Sequence, residues 1–240
     1  MPNIWILLIV VASSLIKGIT GFGFALISLP LLLFWYQPAE IIPVLMICNF
    51  IASVFIILQK KERRLVNRQQ RMLIMAGGVF TIAGVILLKS INQQLLVHVT
   101  GVAFIIITLL SLKPQSKPLK KLRDLSYLAA GAVIGIITGS ISVSGPPLAL
   151  FLNKAQVDKM AFREVFAWFS VVTASIAIIG YIPAGLLSVE SLKQVAVFVP
   201  ILLLGTVAGK RLNHLIPGNN FRLINIVITL LASLMLVIGQ

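Results

Sequence analysis

Hydroxyls and small residues gather at two places in an otherwise apolar chain. Thr20, Gly21, Gly23 and Ser28 mark the first. Thr138, Gly139, Ser140, Ser142, Ser144 and Gly145 mark the second. Hydroxyls and bare backbone amides donate hydrogen bonds, and no Asp or Glu stands in either stretch to repel a negative guest. The chemistry on offer is recognition of a small anion. Lys17 is the cation just ahead of the first stretch. Ionisable groups within apolar runs are costly and functional by default, so Lys17 either faces an anion path or snorkels to an interface. Asn49 sits mid-way along the next apolar run, where an amide can bond across helices. The competing account of the glycines is packing: small residues four apart, such as Gly135 and Gly139, let membrane helices approach closely.

Signs of catalysis are sparse. No paired carboxylates lie inside an apolar run, and no nucleotide-binding, serine-hydrolase or zinc-protease motif occurs. We therefore expect no enzyme, no metal site and no cofactor, and any active transport must draw on gradients. His98 and His214 fall at the ends of apolar runs. Arg163 and Glu164 open another, as interfacial anchors or as a pair at a gate. Cys48, the single cysteine, excludes an internal disulfide and reads as a small buried hydrophobe.

The elements that must position these residues are membrane helices. Hydrophobic residues make up 59% of the 240 and charged ones 11%, too apolar a mixture to cover a water-facing surface. Eight hydrophobic segments emerge: Ile4–Trp35, Ile41–Leu58, Met72–Leu88, Leu95–Leu112, Ser126–Leu152, Phe162–Ile179, Leu192–Gly209 and Phe221–Ile238. The expectation is an all-α, multi-pass membrane protein whose partners are the lipid bilayer and a small anionic solute. The net charge of +14 sits in short loops rather than among aromatics, so nucleic acid is not an expected partner.

The chain reads as two related halves, a first helical repeat over 1–112 and a second over 126–240. A basic cytoplasmic linker at 113–125 joins them. Thr20-Gly21 matches Thr138-Gly139, Pro30-Leu31 matches Pro147-Leu148, and Ala83-Gly84 matches Ala208-Gly209. Segments one and five are each interrupted by Gly and Pro, which break helices. Of the 20 Lys and Arg, 17 fall in four stretches: Lys60–Arg71, Lys113–Arg123, Lys154–Arg163 and Lys210–Arg222. Eight plain crossings would put two of these on the outside, against the positive-inside tendency. If segments one and five are re-entrant hairpins instead, all four face the cytoplasm and the second half is inverted. That is the inverted-repeat plan of many transporters, whose sites lie at paired broken helices.

The run Leu15-Ile16-Lys17-Gly18-Ile19-Thr20-Gly21-Phe22-Gly23-Phe24 resembles the Gly-rich signature of the TauE/SafE family of sulfite-exporter-like permeases. Its echo, Gly135-Ile136-Ile137-Thr138-Gly139-Ser140 through Ser144-Gly145-Pro146-Pro147, resembles that family's second repeat. The resemblance implies a permease of the bacterial inner membrane for small sulfur-containing or organic anions such as sulfite or sulfonates. It also implies a central pathway through Thr20, Gly21, Gly23, Ser28, Thr138, Gly139, Ser142, Ser144 and Gly145. A metabolite or drug exporter of another four-plus-four class, and a membrane assembly subunit without transport, are the alternatives.

Overall fold

A computed structural model describes residues 3–58, 66–112, 123–157, 159–213 and positions 227, 230, 231, 234 and 237. His214, most of the linker and most of the expected eighth segment lie outside the described residues. Among the described residues the structure is helical, without strands: α1 (Ile4–Thr20), α2 (Phe24–Leu32), α3 (Pro38–Leu58), α4 (Arg68–Ser90), α5 (Gln93–Leu112), α6 (Asp124–Ile141), α7 (Gly145–Lys154), α8 (Lys159–Ala184) and α9 (Val189–Asn213). Five of these are long and apolar enough to cross a membrane, namely α3, α4, α6, α8 and α9. The chain is a multi-pass membrane protein.

Segments one and five are each two helices with a short break. The first breaks at Gly21–Gly23, not at Pro30, which is buried inside α2. The second breaks at Ser142–Ser144. At both breaks the residue closing the longer helix adopts a left-handed conformation and returns its N–H to the last turn. Gly21 (φ 85°) donates to the Lys17 carbonyl at 2.8 Å, and Ser142 (φ 60°) donates to the Thr138 carbonyl at 2.8 Å. Gly23 (φ 102°) then opens α2, a conformation that a side chain would strain.

Close approach of small residues builds the scaffold. α4 packs chiefly on α6, and α1 on α9. A Cβ added at Gly18 would stand 2.8 Å from the Gly209 Cα, and one added at Gly84 would stand 2.9 Å from the Gly139 Cα. Both distances are below van der Waals contact, so these backbones touch with no room for a side chain. The two interfaces also share neighbours. Gly209 faces the Leu15 carbonyl and Ile19 amide; Gly84 faces the Ile136 carbonyl and Ser140 amide. Gly18 and Gly139 therefore make matching contacts with Gly209 and Gly84. The motif similarity of Thr20-Gly21 to Thr138-Gly139 is out of step with this contact pattern by about one helical turn.

Contact order along the interfaces fixes helix directions. Gly131 meets Leu73, Gly135 meets Gly77, and Gly139 meets Thr81, so α4 and α6 run parallel. Gly77 meets Phe169 while Gly180 meets Val85, so α8 runs parallel to both. Arg163, at the start of α8, donates from Nη2 to the Gly18 carbonyl near the end of α1 (3.2 Å). Tyr181, near the end of α8, donates to the Gly139 carbonyl near the end of α6 (2.9 Å). α1 and α6 thus point their C-terminal ends toward opposite ends of α8. Because α6 and α8 are parallel, the intervening α7 turns back.

Candidate functional site

The two breaks converge. Gly23, Ala25 and Leu26 from the first and Ser142, Val143, Ser144 and Gly145 from the second line one small pocket, with Lys17 of α1, Asn49 of α3 and Ser170 of α8. Its cavity volume is about 20 Å³, room for about one water. Its exposed lining is mostly polar, and no carboxylate is among its lining residues. Phe22 seals one wall: its ring stacks on Phe166 at 4.8 Å between centroids, and a Cβ at Gly145 would come within 2.7 Å of it.

A polar chain joins the two hairpins across this pocket. The Lys17 Nζ donates to Asn49 Oδ1 at 2.8 Å. Asn49 Nδ2 in turn donates to the Ser142 carbonyl at 3.3 Å and to its Oγ at 3.4 Å. Lys17 is 2% exposed, so its cation does not snorkel. A buried ammonium costs several kcal/mol unless paired and hydrogen-bonded, and a neutral amide supplies only part of that compensation. The surroundings favour an added negative charge.

The helix starts add donors. The first N–H groups of a helix have no intrahelical partner. In α2 these belong to Phe24, Ala25 and Leu26; the first return bond is Ile27 N–H to the Gly23 carbonyl, 3.1 Å. Ala25 and Leu26 line the pocket, so the positive end of α2 faces it. α7 offers less. Pro146 and Pro147 follow Gly145 and have no N–H, so the paired prolines rigidify this helix start and withhold donors from it.

Of the residues singled out in the sequence, the pocket gathers Lys17, Gly23, Asn49, Ser142, Ser144 and Gly145. Gly21 shapes the adjoining turn, against the Arg163 side chain. The others lie outside the pocket lining. The Thr20 hydroxyl lies 2.8 Å from the Ile16 carbonyl and also contacts Phe22 backbone. Ser28 donates to Ser13 at 2.7 Å, tying α2 to α1. Thr138 returns to the Ile134 carbonyl at 2.6 Å, a helix back-bond. Gly139 is a packing residue on α4. Phe22 and Ser170 line the pocket without having been anticipated: an aromatic and a lone serine in apolar runs carry no sequence signal. Arg163 was expected as an interfacial anchor or gate; its guanidinium holds the end of α1. Outside the spans, Tyr36 lies between α2 and α3, where partial burial, then Glu190 and Glu40, push its phenol above the usual value.

The model of the sulfite exporter TauE/SafE family matches residues 5–236. The chain belongs to that family. Neither a curated protein nor a solved structure matches it. Membership makes the protein a membrane transporter of the sulfite exporter class, in keeping with its apolar helices.

Proposed function

We propose that this protein is a secondary transporter that carries a small sulfur-containing or organic anion, sulfite or a sulfonate, across the bacterial inner membrane by alternating access. The observation that carries the reading is the pocket where both helix breaks meet. It has a buried cation, Lys17, the free amides of α2 and the hydroxyls of Ser142 and Ser144, and no carboxylate lines it. A fixed cation among preorganised dipoles favours an anion over any cation.

In this reading α1–α2 and α6–α7 are re-entrant hairpins entering from opposite faces, and the halves 1–112 and 126–240 are inverted repeats around the pocket. The opposed directions of α1 and α6, and the matched contacts of Gly18 and Gly139, support it. The parallel starts of α4, α6 and α8 bring Arg68, Arg123 and Lys159 to one end. The positive-inside tendency assigns that end, with the linker at 113–125, to the cytoplasm.

Flux of labelled sulfite and of short sulfonates in proteoliposomes tests the function. Saturable anion flux in the wild type, reduced by Lys17→Met, is the expected result. Flux of a cation with no flux of any small anion overturns it.

A further inference from the structure

A second feature lies away from the pocket, at the outer surface of the helix bundle. A groove runs between the first turns of α4 and the neighbouring α6, with Arg68 and Arg71 at its head and Met72, Met75 and Leu128 along its floor. Met75 is 64% exposed and Leu128 38% exposed. The arginines are one turn apart on one helix face, both exposed. Among the described residues, no hydrogen bond or ion pair engages either guanidinium. Asp124, the acid at the start of α6, takes its hydrogen bond from Gln69 Nε2 at 2.8 Å.

The order of these residues carries the argument. From Arg68 to Met75 the groove changes from cationic to apolar within about 10 Å of helix rise. The uncharged run Met72–Leu88 begins where the arginines end, which sets this turn at the junction of headgroups and hydrocarbon. Arg binds phosphate oxygens through its planar fork, and Met fits its thioether to irregular apolar partners. A free phosphate would use only the head of such a groove, and a neutral hydrocarbon only its floor.

We infer that this groove binds one anionic phospholipid, with its phosphate between Arg68 and Arg71 and an acyl chain along Met72, Met75 and Leu128. The site is independent of the anion pocket, so its fate does not depend on what the protein transports.

Lipid retention on the purified full chain, read by native mass spectrometry, tests this. The additions are phosphatidylglycerol, phosphatidylcholine or soluble glycerol phosphate. The wild type is expected to retain phosphatidylglycerol in preference to phosphatidylcholine, with glycerol phosphate unable to displace it. Arg68→Gln with Arg71→Gln is expected to weaken phosphatidylglycerol binding by roughly thirtyfold, taking each basic residue at its usual contribution near a membrane surface. Lys193→Gln, at an exposed site on α9, controls for loss of positive charge and should leave the preference intact. Equal retention of the two lipids by the wild type overturns the inference. So does an unchanged preference in the arginine double variant, an equal loss in Lys193→Gln, or displacement by glycerol phosphate. If the double variant does not insert, the two single variants provide the same reading at smaller amplitude.

Discussion

The Lys17 ammonium and the Asn49 side-chain carbonyl lie 2.8 Å apart, joining the end of α1 to the middle of α3. The same Asn49 reaches Ser142 through its amide nitrogen, so a neutral side chain links the buried cation to the opposite hairpin. An amide suits this position because it can accept from Lys17 and donate to Ser142 at once.

Lys17→Met removes the cation while keeping length and apolar bulk. A charge-assisted hydrogen bond contributes about 1.5–3 kcal/mol, so anion flux at limiting substrate should fall by roughly 10- to 100-fold. Insertion should persist, since an apolar side chain relieves the cost of a buried charge. Proteoliposome flux together with the yield of monodisperse protein checks both. Undiminished flux would remove Lys17 from the pathway.

Asn49→Asp is nearly isosteric and places a carboxylate beside Lys17 and inside the pocket. The new charge neutralises the ammonium and repels an anion, so transport should be lost more completely than in Asn49→Ala. The comparison is made at matched protein density. The reverse order would mean that the pocket does not rely on its positive charge.

Gly139→Val drives a side chain into the α4 backbone, where a Cβ would already stand 3.1 Å from the Gly84 Cα. The variant should fail to fold, with overpacking costs of several kcal/mol. Gly23→Ala has ordinary neighbours at 3.4 Å and beyond but is strained at φ 102°. It should cost about 1–2 kcal/mol and insert normally, with altered flux. Loss of function at Gly139 therefore reports on assembly, whereas loss at Gly23 reports on the pocket. Thermal unfolding in detergent distinguishes the two.

Tyr181→Phe leaves the Gly139 carbonyl without its 2.9 Å donor in a fully buried setting. Destabilisation of about 1–3 kcal/mol is expected, seen as a lowered unfolding midpoint. No change in that midpoint would show that the carbonyl is satisfied without the phenol.

Topology can be read with single cysteines, because Cys48 is the only native one and is buried. In a Cys48→Ala background, cysteines at Arg123 and Gln156 should both be shielded from an impermeant thiol reagent added to intact cells, and one at Glu190 should be labelled. Labelling at Gln156 from outside would reject the re-entrant form of α6–α7.

Much of this arrangement was legible in the sequence because glycine and proline punctuate apolar runs. The first break could be read from Gly21 and Gly23, since positive φ favours glycine. The second was blurred because Ser142, not glycine, takes the left-handed position at its tip. The alignment of the Thr-Gly pairs and the matching contacts of Gly18 and Gly139 are out of step by about one turn. The hydroxyls of Thr20, Ser28 and Thr138 read as ligand donors in the sequence, and in the structure each bonds backbone or a neighbouring side chain. Only their surroundings reveal that. Lys17 and Asn49, separated by 32 residues, become neighbours only when the hairpin folds against α3.

α8 grips the ends of two opposed helices, Gly18 through Arg163 and Gly139 through Tyr181. These grips are about 27 Å apart on one continuous rod. One helix therefore touches the ends of both broken segments, Gly18 at its start and Gly139 near its end.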